Sequence, residues 1–191
     1  MASADAPAVQ RIWSARFGGD PSTQEKWIEA ALNPAHSATG FVAVSTDAET
    51  VLGLSFLDVG DRSYTRHYLG LDTLETTVPL EERNGIFHLS CVRADWENRG
   101  IGSAFYERRL SILVDREVPR AVGIAWHRPH LVDSRVLFEK YDFRCHATVD
   151  QYYERLGRRQ HCPNCGGQCD CSASLYGRSV STASSSQIDQ S

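Results

Sequence analysis

The chain has 191 residues, 41% of them hydrophobic, and a formal net charge of −4 at pH 7. That length and apolar content suffice for one well-buried core and exclude a disordered chain, and no run approaches the ~20 apolar residues that a membrane helix needs. The negative balance argues against nucleic acid as a partner, because affinity for it comes largely from neutralised phosphates, and favours a small-molecule or protein substrate.

Val9, Ile12, Trp13 and Phe17 recur at helical spacing before Gly18-Gly19, which predicts a helix over 7–17. Asp20-Pro21 caps and starts a second helix carrying Trp27, Ile28 and Leu32. Apolar runs at 41–44 and 51–57 predict two strands joined by a polar turn. Residues 59–84 are polar and weakly periodic, and read as a long connection of the kind that usually carries a function. A strand over 86–92 is followed by a helix over 102–117, whose apolar stripe includes Phe105, Tyr106, Leu110 and Leu113. Beyond it come a buried-type strand at 121–126, a helix capped by Asp133 and running through Phe138 to Tyr141, one or two strands within 143–156, and a short strand at 172–176. This alternation predicts an α/β (α+β) arrangement of helices around a sheet. The expected organisation is a main domain at 1–160, a cysteine-rich hairpin at 161–177 and a disordered serine-rich tail at 178–191. Residues 1–7 lack a basic stretch leading into an apolar core, so a cytoplasmic location is expected.

The most informative stretch is the transition from Cys91-Val92-Arg93 through Glu97-Asn98-Arg99-Gly100-Ile101-Gly102-Ser103. An apolar strand gives way to a glycine turn and then to an amphipathic helix. Glycines at alternate positions let the backbone approach a ligand, and the helix start offers free N–H groups and a positive dipole end to a pyrophosphate. A dinucleotide-binding loop would need glycine at Phe105, and a P-loop would need Gly-Lys-Ser/Thr, so both are set aside.

The loop resembles motif A of the GNAT acetyltransferases, Gln/Arg-x-x-Gly-x-Gly/Ala. Leu137-Phe138-Glu139-Lys140-Tyr141-Asp142-Phe143 resembles the family's Leu-Tyr-Glu-Lys-Leu-Gly-Phe signature, some forty residues further on. The resemblance covers about residues 41–156 and implies a mixed, mostly antiparallel sheet flanked by helices, with acetyl-CoA as cosubstrate. It places the pyrophosphate at Glu97–Ser103 and the pantetheine arm along the backbone of Cys91, Val92 and Arg93, beside Phe138. It also implies direct acyl transfer to an amine, on a small molecule or on a protein N-terminus or lysine, by a monomer or homodimer. An alternative is a GNAT-fold binding or regulatory module that retains the cofactor pocket without turnover.

Three positions depart from the family pattern. Glu97 stands where Gln or Arg is usual, and its carboxylate repels a pyrophosphate unless it turns away. Phe138 replaces the tyrosine assigned to protonating the leaving thiolate, which moves that role to Ser134 or Tyr141 on the same helix face; for Tyr141 a buried packing role fits equally. Ile86 replaces the glutamate that some members use as a base. Strand alternation puts His88 and Ser90 on the face of Ile86, so His88, directly or through water, is the candidate base, with Ser90 beside it. The same pattern fits a hydrogen-bonded, half-buried structural histidine.

Of the six cysteines, Cys91 and Cys145 lie in strand-like apolar segments and read as small core residues. Cys162, Cys165, Cys169 and Cys171 form a C-x2-C-x3-C-x-C cluster whose first half is a Cys-Pro-x-Cys-Gly knuckle. Four crowded thiols predict a structural Zn2+ site, with His161 as a substitute ligand; disulfides, an iron–sulfur centre or an unmetallated cluster also fit. Flanked by Tyr152-Tyr153 and the strand at 172–176, both read as strands of a closing hairpin, the metal would clamp that hairpin's tip. This is similar to GNAT-like proteins of haloarchaea. The cluster and Arg155, Arg158 and Arg159 beside it are the sole support for a zinc-knuckle role in docking a nucleic acid or partner.

Overall fold

A computed structural model describes residues 1–47, 50–128, 134–158 and 162–180. Asp133, His161 and most of the serine-rich tail, each given a part above, lie outside the described residues.

The described residues form one six-stranded sheet in the order β1-β2-β3-β4-β6-β5, with helices on both faces. Helices α1 (Ala6–Phe17) and α2 (Pro21–Leu32) lead into β1 (Thr39–Val44) and β2 (Val51–Asp61). Asp20 caps α2 by accepting the Thr23 N–H at 3.1 Å.

The connection expected over 59–84 holds more structure than its composition suggests. Strand β2 continues to Asp61, and α3 (Arg62–Leu69) and α4 (Leu71–Leu74) follow. The sequence does carry brackets for α3. Asp61 accepts the Tyr64 N–H at 2.7 Å, and Gly70 ends the helix in the left-handed region at φ 70°. Between them only Thr65 and Leu69 are buried, too short a stripe to stand out as periodicity.

Strand β3 (Arg83–Val92), α5 (Ile101–Asp115), β4 (Arg120–Trp126), α6 (Arg135–Lys140), β5 (Arg144–Val149), α7 (Tyr152–Arg155) and β6 (Ala173–Ser179) complete the order. Tyr152 and Tyr153 therefore stand on a helical turn, not on a strand. Among the strand pairs, only β3 and β4 run parallel; the others are antiparallel. Strand β6 inserts between β4 and β5, so the last of the described strands closes the sheet from within.

Two features of this sheet shape the site. The β3–β4 ladder covers only Asn84–Phe87 against Arg120–Gly123; beyond it the strands part, and His88–Val92 keeps β2 as partner on one side alone. The β2–β3 register also slips, with Ser55 opposite Ser90 but Leu57 opposite Phe87. His88 and Leu89 thus face the single residue Phe56, a β-bulge. The bulge resets alternation. Leu89 and Cys91 pack with Trp13, Leu54 and Phe56 under α1 and α2, where His88 also lies, so Ser90 points to the opposite face. The sequence expectation that His88 and Ser90 share a face fails at this bulge.

Layers form on both sides. Under α5 and α6, Leu57, Phe87, Tyr106, Leu113, Phe138 and Phe143 make one cluster. On the other face, Leu69, Leu74, Ile86, Val122, Tyr152 and Leu175 make a second. Cys91 is buried as expected, but Cys145 is exposed, because β5 is an edge strand.

Candidate active site

The parting of β3 and β4 opens a cleft of about 1340 Å³ that runs from the glycine loop to the aromatic residues under α1, α2 and α3. At its outer end, Gly100 adopts φ 84°, a left-handed turn that costs an L side chain about 1–2 kcal/mol. Helix α5 has no side-chain N-cap, and its first internal amide bond is Ala104 N–H to the Gly100 carbonyl at 3.0 Å. Among the described residues, the amides of Ile101, Gly102 and Ser103 are left for a ligand. A Cβ on Gly102 would come within 3.0 Å of Leu137 Cδ1, so a side chain there crowds α6. Lys140 Nζ lies 2.8 Å from Ser103 Oγ and supplies a cation beside these amides.

Most of the expected cofactor residues converge here. Cys91, Val92, Glu97, Asn98, Gly100, Ile101, Gly102, Ser103 and Phe138 all line the cleft. Arg93 and Arg99 do not: Arg93 is paired with Asp95 at 2.7 Å, and Arg99 lies over the Trp96 ring at 4.5 Å. The Glu97 side chain is exposed over 41% of its surface. It pairs with Arg16 of α1 across the mouth of the cleft, so the departure from the family pattern is compensated from a distant helix.

The inner end is made of side chains. The His88 ring stacks on Trp27 at 3.6 Å and 13°, meets Trp13 edge-on, and shares a 2.7 Å hydrogen bond between Nδ1 and the Tyr68 hydroxyl. Its Nε2 is buried with no hydrogen-bond partner among the described residues. Burial pushes the imidazole pKa down to about 3, against the attraction of the Asp58 carboxylate and with help from the Arg109 cation, so His88 is neutral near pH 7. Burial likewise raises the Cys91 thiol to about 12, which makes it inert as a nucleophile.

Of the two hydroxyls expected to stand in for the missing tyrosine, Ser134 lines the cleft and Tyr141 does not. Tyr141 stacks on Tyr106 at 5.4 Å, and its hydroxyl lies 2.7 Å from Glu107 Oε1 and 3.2 Å from the Ser103 carbonyl, which fits the packing role. Phe138 stacks on Tyr176 at 4.8 Å and covers Gly123 on the last paired rung, where a Cβ would lie 2.5 Å from the ring. Ser90 lines the cleft from the face opposite His88.

Sequence reasoning did not find Tyr68, Tyr106 or Arg109, which also line the cleft. Tyr68 sits on the unrecognised α3, held there by Arg158, whose Nη1 donates to the Tyr68 carbonyl at 2.6 Å. Tyr106 and Arg109 lie on α5, where Arg109 interrupts the apolar stripe; that polar residue amid apolar spacing was the available signal.

The sulfurs of Cys162, Cys165, Cys169 and Cys171 all lie within 4.8 Å of one another, and Cys165 and Cys171 approach to 3.4 Å without a disulfide. Burial acts to raise the Cys162 thiol, but hydrogen bonds from the backbone N–H groups of Cys165 and Asn164 and from the Cys169 and Cys165 thiols together make the net shift downward. The cluster occupies the connection between α7 and β6, at the tip of the β5–β6 hairpin, and packs on Trp126, Phe17 and Tyr153. These three also line the cleft, so the cluster braces its wall.

No family model matches the chain, and no curated protein matches it in sequence. Solved structures do match. Arabidopsis thaliana NAA60, in complex with a bisubstrate analogue, superposes with a TM-score of 0.67 at 12% identity over 96% of this chain and 97% of that one. An acetyltransferase of the GNAT family from Desulfovibrio desulfuricans gives 0.64 at 12% identity over 94% of each chain. The ribosomal-protein-S18-alanine N-acetyltransferase of Escherichia coli gives 0.62 at 16% over 97% and 94%. With its parted strands, glycine loop and closing hairpin, the chain has the GNAT N-acetyltransferase fold.

Proposed function

We propose that the protein is an acetyl-CoA-dependent N-acetyltransferase. The observation that carries this reading is the row of free amides at Ile101–Ser103, set at the open end of the β3–β4 parting and continuous with a cleft large enough for a pantetheine arm and an acceptor. The diphosphate is held by those amides, the α5 dipole and Lys140. The arm lies along the unpaired edge of Leu89–Val92, and the amine reaches the inner end under Trp13, Trp27 and Tyr68.

The chemistry is direct attack of a deprotonated amine on the thioester, accelerated mainly by positioning and by stabilisation of the oxyanion. An amide freed from the ladder by the His88–Leu89 bulge is the oxyanion donor. Either tautomer can make the Nδ1–Tyr68 contact; in the one with Nδ1–H as donor, Nε2 carries the lone pair available to an amine. An imidazole of such low basicity cannot keep a proton from an ammonium of pKa ~8 to ~10. It accepts a hydrogen bond from the neutral amine and aims the nitrogen lone pair at the thioester, while the proton released after attack goes directly to water. Ser134 is the remaining candidate near the leaving thiolate. The acceptor is an amine of a protein or a small molecule; one structural neighbour bears a ribosomal-protein alanine in its name.

The cysteine cluster fits a structural Zn2+. Four thiolates at ~2.3 Å from one ion stand about 3.8 Å apart, close to the spacing present, with backbone N–H groups already at Cys162. Bound there, zinc holds the β5–β6 connection and the cleft wall in register.

One observation favours the alternative of a cofactor-binding regulatory module: Phe138 fills the usual acid's position and is packed into the core, 2% exposed. A thiol-release assay with acetyl-CoA over a panel of peptide and small amines separates the two. Release dependent on an amine supports the enzyme; saturable acetyl-CoA binding with no release on any acceptor supports the module.

A further inference from the structure

We infer that Arg109 equips the inner end of the cleft for acyl-CoA thioesters whose acyl chain ends in a carboxylate, of which succinyl-CoA is the test compound. The inference rests on the CoA-thioester reading above and adds a second class of donor to acetyl-CoA.

Arg109 is 1% exposed and lines the cleft from α5. Its guanidinium lies 4.0 Å over the Phe87 ring and 4.6 Å over that of Tyr106. Nε donates to the Phe105 carbonyl at 3.2 Å and Nη1 to the Phe56 carbonyl at 3.5 Å, and the Tyr106 hydroxyl also interacts with the group, while Nη2 has no hydrogen-bond partner among the described residues. Among the described residues no carboxylate pairs with it. Burial lowers its pKa only to about 10, so it stays charged near pH 7. A buried cation without a counter-ion is unfavourable, and a leucine or methionine at this point of the α5 stripe would carry no such penalty. The arrangement is therefore incomplete without an anion.

The position of Arg109 says which part of a ligand supplies that anion. The diphosphate end is fixed two helical turns away, at residues 101–103. A thioester laid from there along the parting of β3 and β4 points its acyl end at the closed end, where Phe87 and Gly123 form the last rung and Arg109 covers Phe87. The acceptor side is the opposite wall, with His88, Trp27 and Tyr68. An acetyl group stops short of the guanidinium; a chain ending in a carboxylate continues to Nη2. In the transfer, the amine lone pair forms the C–N bond and the C–S bond breaks with its pair passing to sulfur. The proton lost by the nitrogen is matched by one gained by the thiolate, and the terminal carboxylate is unchanged.

Calorimetric titration of the full chain with CoA, acetyl-CoA and succinyl-CoA tests this, with Arg109→Met and Arg109→Lys as variants. Succinyl-CoA should bind roughly 10- to 100-fold more tightly than acetyl-CoA, the worth of a hydrogen bond between charged groups. Arg109→Met should abolish that preference, read as the ratio of succinyl-CoA to acetyl-CoA affinity in the same variant, and Arg109→Lys should retain part of it. Equal affinity of the wild-type protein for the two thioesters, or a preference that survives in Arg109→Met, overturns the inference alone. Failure of CoA itself to bind overturns the underlying reading as well, so the two failures are distinguishable. Should Arg109→Met not fold, the wild-type comparison still decides.

Discussion

The two ends of the cleft are built from different materials. The outer end is backbone: a left-handed glycine, three free amides and a helix dipole, contributed by one contiguous stretch of chain. The inner end is side chains: Trp13 from α1, Trp27 from α2, Tyr68 from α3, His88 from β3 and Arg109 from α5, brought together only by the fold. Backbone donors are the same whatever acyl group or amine is used, so the outer end suits a constant part of a ligand. The inner end, walled by aromatic rings and holding two unpartnered nitrogens, suits the part that varies and reacts.

Substitutions should separate the ends, and the largest effect should come where they share a support. Cys169 is fully buried in the cluster that braces the Phe17–Trp126–Tyr153 wall. Cys169→Ser or exhaustive chelation should lower Tm by about 10 °C or more, given the stabilisation that structural zinc provides and the size of the domain. Metal analysis that finds no zinc in purified protein, with Tm indifferent to chelators, would remove the clamp.

Next comes the outer end. Gly102→Val places atoms against Leu137 and over the amide row, and should weaken CoA about 100-fold while the far-ultraviolet spectrum stays unchanged. At the inner end the pattern should reverse. His88→Ala should lower kcat about 100-fold and leave CoA affinity intact; a loss of affinity with kcat preserved would break the division.

The depressed His88 pKa sharpens this further. The unfolded imidazole titrates near 6.5 and the folded one near 3, so between those values the unfolded state binds the extra proton. The contribution of His88 to stability should therefore fall as pH drops from about 6.5 towards 3, and His88→Gln should flatten that part of the stability profile. The rate profile should rise only with deprotonation of the acceptor, without a separate limb near pH 6.5. The smallest effect belongs to the Arg16–Glu97 pair, which lies on the surface. Arg16→Gln should change stability by no more than about 0.5 kcal/mol, yet weaken CoA several-fold in a salt-dependent way, because it frees the Glu97 carboxylate beside the diphosphate site.

The same division explains what could be read from the chain. The glycine loop, α5 and the cysteine knuckle are local, and their residues announce themselves by spacing. Helices α1 and α2 were legible from caps and periodicity, though not the fact that Trp13 and Trp27 would enclose His88. Tyr68 was hidden because α3 buries too few residues to show a period. Ser90 was assigned to the wrong face because a bulge of one residue leaves no trace in apolar alternation. Glu97 looked like a liability because its partner, Arg16, lies 81 residues away.

Everything proposed for the cleft depends on a CoA thioester being held by the amides at Ile101–Ser103. Calorimetric titration of acetyl-CoA into the full chain tests it most directly. Saturable one-to-one binding with a Kd well below millimolar is expected, lost in Gly102→Val and retained in His88→Ala. No heat at millimolar acetyl-CoA, or binding that survives in Gly102→Val, would contradict it.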